Sequence, residues 1–145
     1  LDLIGDFLEA KGIKNYLVQI GEENLAKGTN EKEELWKIRL TYLGDSLGSK
    51  AAGVMAIQDK AVSSAGNFEQ FYTKDSLRLS FTLDPRTGLP VNHGLLGATV
   101  IAQNAKTADA LADALMVLGW REAIRLDSTR TDIQMLLWPS IAADG

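Results

Sequence analysis

Two short stretches of this 145-residue chain carry side chains whose types and spacing suit chemistry. In "LDPRTGLP", residues 83–90, a carboxylate (Asp84), a guanidinium (Arg86) and a hydroxyl (Thr87) share one turn. Pro85 fixes its own φ, Asp84 is placed to accept backbone N–H groups just downstream, and Gly88 permits a positive φ, so the turn is predicted to be tight and stiff. A guanidinium and a hydroxyl held this way either face water or meet an anionic ligand such as a phosphate. In "NAKTADALADALMVLG", residues 104–119, Asp109 and Asp113 lie four apart. On a helix both carboxylates then project from one side, roughly opposite Leu111. Their repulsion costs about 0.2–0.5 kcal/mol unless solvent or a cation relieves it. The pair is either a solvated polar face or a place for a hard cation such as Mg²⁺, which takes one or two carboxylates together with phosphates and water.

These residues need elements to position them. Residues 1–12, "LDLIGDFLEAKG", have the pattern of an amphipathic helix with Ile4, Phe7 and Leu8 apolar and Gly12 at its end. Alternation predicts strands at 15–21 and 35–42, joined by the polar "GEENLAKGTNEKEE" with a short strand inside it, and "GDSLGSKAAG" at 44–53 is predicted to be a loop. After short apolar runs in 53–66, "NFEQFYTKD" and "SLRLSFTL" resemble the arms of a hairpin turning at Lys74, Asp75 and Ser76, with Leu77, Leu79, Phe81 and Leu83 on one face. A strand at 95–103 leads into the acid-bearing helix, whose apolar stripe is predicted as Leu111, Leu115 and Leu118 and whose stop is Gly119. A further helix at "WREAIRLDS" and a strand ending at Pro139 complete the chain. Hairpins with segregated helices predict an α+β fold of antiparallel or mixed sheets with packed helices, rather than a regular βαβ series.

Composition bounds the function. With 46% hydrophobic and 23% charged residues the chain is ordinary for one globular domain over residues 1–145, and a net charge of −4 offers no general attraction to nucleic acid or anionic membrane. There is no cysteine and one histidine, His93, which removes thiolate chemistry, cysteine-based zinc sites and multi-histidine metal centres. No run approaches the roughly 18 apolar residues that span a bilayer. The first residue, Leu1, opens directly onto a helical pattern, so the sequence is read as a piece of something longer.

Taken together, "LDPRTGLP" followed by "ATVIAQNAKTADALADALMVLG" resembles the paired motifs of the FAD:protein FMN transferase family, also called ApbE. Other pieces agree in order: "LVQIGEE" is similar to the family's Gly-Gly-acid strand end, "LWKIRL" to its tryptophan-containing strand, and "AVSSAGNFEQFY" to its Ala-Thr-Ser-Gly segment. The resemblance implies a fold that binds FAD and Mg²⁺, cleaves the pyrophosphate, and attaches FMN through a phosphoester to a Thr or Ser of an acceptor redox protein. It implies a metal-binding role for Asp109, and flavin-site positions for Gly21, Glu23, Ser64, Gly66, Asp84, Arg86 and Thr87. The family's N-terminal half has no counterpart before Leu1, which makes the chain the expected C-terminal part of such a protein. Localisation rests on the resemblance alone: the family is commonly exported and lipid-anchored or faces the periplasm, and any such signal would precede this sequence.

Three positions depart from the family pattern. Phe81 stands where the family usually has a histidine, and a phenyl ring neither donates, accepts nor relays a proton. Asp113 replaces a metal-binding threonine, which keeps oxygen donors at Asp109 and Asp113 while adding charge. Glu22 replaces the second glycine of the Gly-Gly-acid segment, adding bulk and negative charge where a dinucleotide would approach. His93, beyond the turn, is expected to face solvent. The sequence therefore leaves open a transferase, possessing or lacking full turnover, a non-catalytic flavin-binding or partner-docking protein of the same fold, and a structural remnant.

Overall fold

The computed structural model describes residues 1–43, 49–66, 71–74 and 77–139. In chain order its elements are α1 (Asp2–Ala10), β1 (Tyr16–Ile20), β2 (Glu23–Lys27), β3 (Trp36–Leu43), β4 (Ser49–Ile57), β5 (Lys60–Gly66), β6 (Phe71–Lys74), β7 (Leu77–Ser80), β8 (Leu95–Ala102), α2 (Ala105–Leu118), α3 (Trp120–Asp127) and β9 (Gln134–Pro139). Five strands form one sheet in the order β1-β2-β5-β8-β9, and β3-β4 and β6-β7 are separate hairpins. Every strand pairing among the described residues is antiparallel, which makes the fold α+β as expected.

The sheet is built around β8. Its sequence, "LLGATVIA", is nearly continuous in apolar character rather than alternating, because both of its faces are covered. One face carries Ala61, Ala98, Val100 and Ala102 against Ala105, Ala108, Ala112 and Leu115 of α2. The other carries Ala26, Val62 and Ile101 against Ile38 and Ile57 of the β3-β4 hairpin. A two-stranded hairpin is marginal alone, and this packing gives β3-β4 an apolar face to rest on.

The helices differ from the sequence expectation in which residues they bury. In α2 the fully buried positions are Ala105, Ala108, Ala112, Leu115 and Met116, whereas Leu111 is half-buried and Leu118 exposed. Small alanines bring the helix axis close to the sheet, so the contact stripe runs through Ala108, Ala112 and Leu115, with Leu111 at its edge and Leu118 outside it. In α1, Leu1 and Leu8 pack on the core while Ile4 and Phe7 are exposed. Gly5 makes the close contact: a Cβ there would lie 2.8 Å from the Tyr16 hydroxyl and 2.9 Å from Leu25.

The short strand expected inside the polar link after β1 is present as β2, whereas the loop expected at 44–53 is corrected. The link opens with a tight hairpin, since only two residues separate β1 from β2, with Ile20 opposite Glu23 and Gly21 at φ +59°. A positive φ at the first central residue is the type II′ arrangement, whose twist matches the flanking strands. The overturned expectation concerns β4, which already begins at Ser49, inside the stretch expected to be a loop. The β6-β7 pairing expected from the sequence is present, while the turn residues Asp75 and Ser76 lie outside the described residues. The side chains of Leu77 and Leu79, expected on a common face, lie outside them as well.

Candidate functional site

The turn at 84–89 is held from within. The Asp84 carbonyl accepts from the N–H of Thr87 and Gly88 at 3.2 and 2.7 Å, and the Asp84 N–H donates to the Leu89 carbonyl at 2.9 Å. Leu83 and Pro90 bridge its base, and Gly88 takes the φ of +69° that the predicted turn required. Thr87 Oγ1 accepts the N–H of Leu89 at 3.2 Å. Arg86 folds back on its own turn: its Nε lies 2.9 Å from Asp84 Oδ1 and its Nη2 2.7 Å from Asp84 Oδ2. These bonds to the Arg86 side chain, with a further one from the Arg86 backbone N–H, lower the Asp84 carboxyl from 3.8 to about 2. Reciprocally, the Asp84 bonds raise Arg86 above its ordinary value. The ion pair is exposed and local, so a phosphate approaching Arg86 has to compete with Asp84 for the guanidinium.

The acid helix is fixed from both ends. Asp2 of α1 accepts the N–H groups of Ala105 and Lys106 at 2.7 and 2.9 Å, and Asn104 Oδ1 accepts that of Thr107 at 2.9 Å. The Ala108 N–H bonds the Asn104 carbonyl, so the orphan donors of the first turn are satisfied by protein groups. At the other end His93 is not solvent-facing as expected. Its Nε2 lies 2.7 Å from the Met116 carbonyl, and its Nδ1 accepts the Leu95 N–H at 3.3 Å. With Nδ1 accepting, the proton belongs on Nε2, and the ring ties the end of α2 to the start of β8. Gly119 lies against this ring, where a Cβ would come within 3.0 Å of His93 Cδ2.

Between these anchors, Asp109 meets the sheet. Ser63 Oγ, on the α2-facing side of β5, donates to Asp109 Oδ1 at 3.3 Å. Asp113 follows one turn later and is exposed, yet its carboxyl is pushed up, first by desolvation and then by the negative charge of Asp109. Two carboxylates that feel each other on one helix face are hard-oxygen donors suited to Mg²⁺, which takes one or two such groups and completes its shell with water and phosphate. Among the described residues no group of three or more His, Cys, Asp or Glu gathers to hold a metal alone.

Strand register locates the candidates on β1–β2 and β5 relative to this point. Asn24 pairs with Val62, so Glu23 is the next residue along, level with Ser63, and the hairpin tip with Gly21 and Glu22 lies at the same sheet end. Gly66 closes the β5-β8 ladder opposite Gly97 at that end. Ser64, by contrast, points to the opposite face, where its hydroxyl lies 2.8 Å from that of Thr99. Asn24 shares that face by alternation; it is 5% exposed, and its Oδ1 has no hydrogen-bond partner. Phe81, on the segment leading into β8, is 57% exposed. Thus Gly21, Glu23, Ser64 and Gly66 lie along one half of the sheet but on two faces, with Ser64 on the face away from Asp109. The turn at 84–89 forms no hydrogen bond to the acid pair. Sequence reasoning missed Ser63 and Asp2. Period-two alternation with Ala61 was the available signal for Ser63; for Asp2, 103 residues from its partner Ala105, there was none.

A polar cleft of about 340 Å³ lies elsewhere, between α1 and β2, and is lined by Asp6, Glu9, Tyr16, Lys27, Asp59 and Lys106 among others. None of the candidate residues lines it. Burial and the bond to Glu9 push the Tyr16 hydroxyl there up to about 12.

With this geometry in place, comparison with known proteins gives consistent results. Residues 1–137 match the ApbE family. The FAD:protein FMN transferase of Vibrio cholerae serotype O1 is 33% identical over 120 residues, 82% of this chain and 35% of that protein. The protein of the same name from Escherichia coli K12 is 35% identical over 122 residues, 84% of this chain and 34% of that protein. Among solved structures, the flavin transferase ApbE from Vibrio cholerae superposes with a TM-score of 0.79 at 28% identity, covering 97% of this chain and 47% of that one. The ApbE protein from Thermotoga maritima, at 24% identity, has the same fold, with a TM-score of 0.79. The chain spans about a third of the curated relatives it matches and just under half of these solved chains.

Proposed function

The chain belongs to the ApbE family, and we propose that it is the C-terminal part of a Mg²⁺-dependent flavin transferase that moves FMN from FAD onto a Thr or Ser of an acceptor redox protein. The observation that carries this is the acid pair on α2, with Asp109 held against β5 by Ser63 and Asp113 one turn away. Asp109 and Asp113 would hold the cation, which supplies positive charge to the phosphate that leaves. The flavin-site candidates are Gly21, Glu23, Ser64, Gly66, Asp84, Arg86 and Thr87. The hairpin turn of Gly21 sets the register that brings Glu23 level with Ser63, the partner of Asp109. Arg86, once shared between Asp84 and a phosphate, would add charge near the pyrophosphate. In the transfer, the acceptor hydroxyl oxygen bonds to the FMN-side phosphorus, the bond to the AMP-side oxygen breaks, and AMP leaves as the hydroxyl proton passes to a base.

No side chain of this chain is assigned as that base. Phe81, where the family usually has histidine, favours a second function: a member of the fold that binds flavin or docks a partner without turnover. An assay of AMP release from FAD, with Mg²⁺ and an acceptor peptide containing Thr, separates the two. A transferase releases AMP in step with flavin appearing on the peptide, and a binder holds FAD unchanged. If Phe81 limits the rate, Phe81→His raises AMP release at unchanged FAD affinity. Intact FAD binding with no gain would remove Phe81 as the cause.

A further inference from the structure

We propose that Ser63 is a positioning residue for the acid pair, one that fixes Asp109 so that a single carboxylate oxygen faces the cation. The inference rests on the Mg²⁺ binding proposed above and deepens it. Ser63 is 2% exposed, on a strand whose other α2-facing residue in the core is Ala61, so its hydroxyl is polar in otherwise apolar packing. A buried hydroxyl needs a partner, and this one donates to Asp109 Oδ1 at 3.3 Å, joining β5 to α2. That bond occupies Oδ1, restrains the plane of the carboxylate and leaves Oδ2 as the oxygen for a hard cation, in the manner of the outer partners that orient metal ligands. The neighbouring Ser64 has the same side chain and cannot do this, since it lies on the opposite face of the sheet, beside its cross-strand partner Thr99. Ordered Asp109 also matters for Asp113, whose exposed carboxylate is then the adjustable member of the pair.

The test compares Ser63→Thr with Ser63→Val, which have nearly the same shape and differ in the hydroxyl. Calorimetric titration with Mg²⁺ alone, well below the unfolding temperature, reads the affinity. The expected result is that Thr stays near wild type while Val binds Mg²⁺ at least about 10-fold more weakly. Equal affinities for the two variants, whether both retained or both lost, would overturn the role of the hydroxyl while the wild-type binding left the proposed function standing. Absence of Mg²⁺ uptake by the wild-type chain would overturn both. A purely structural hydroxyl would lower the melting temperature of the Val variant without moving the affinity, and that outcome also counts against the proposal.

Discussion

At the scale of single residues, the structure separates groups that the sequence presented as equals. Asp84 and Arg86 engage each other within one turn, whereas Asp109 engages another element through Ser63. The Asp84 pair makes a pH prediction with a definite sign. Its carboxyl is held at about 2 rather than the ordinary 3.8, so on acidification the unfolded chain takes up this proton before the folded chain does. The stabilisation is therefore present above 3.8 and is lost as pH falls to about 2. Urea unfolding of wild type and Asp84→Asn should show a less stable variant at about pH 5 and a difference that shrinks toward pH 2. A difference independent of pH would mean that the carboxylate charge is immaterial to the turn. Much of this turn was legible in advance: Pro85, Asp84 and Gly88 each force a local conformation. The destination of Arg86 was not, because both water and a phosphate were compatible with the same local sequence.

At the scale of elements, α2 is the part whose placement matters most. Its alanines set its distance from the sheet, His93 holds its C-terminal end, and Asp2 with Asn104 satisfies its N-terminal donors. Removing one capping side chain from a helix typically costs about 1 kcal/mol. Asp2→Ala should accordingly lower the unfolding free energy by about 1 kcal/mol in urea titrations, with little loss of overall secondary structure. An unchanged stability would show that water replaces the carboxylate at the helix start without cost. Periodicity revealed the helix, its acid pair and the core contacts of Leu111 and Leu115, but it also pointed to Leu118, which is exposed, and passed over Ala108 and Ala112. Hydrophobic pattern ranks side chains by size, while close packing against a sheet selects for small ones, and that choice depends on a partner surface far away in sequence. The β2 strand was half-hidden for a related reason. Its "ENLAK" is polar by composition and becomes a strand through pairing on both sides, with β1 and β5.

At the scale of the whole molecule, the Gly21 hairpin and the Gly66–Gly97 ladder end share one end of the central sheet, and α2 lies along the sheet face with Asp109 against Ser63. The chain corresponds to just under half of the solved ApbE chains it superposes on. The family was legible because its motifs recur in order along nearly the whole sequence. Alternation alone puts Ser63 and Ser64 on opposite faces, but which face meets α2, and hence which serine meets Asp109, came from the packing of β5. The measurement that tests the account most directly is a titration of this chain with FAD, followed by flavin fluorescence, first with Mg²⁺ and then with excess chelator, for wild type and Asp109→Ala. The account predicts saturable binding that weakens on chelation and is lost in the variant. Binding that is indifferent to both the chelator and Asp109, or no binding in either condition, would contradict it.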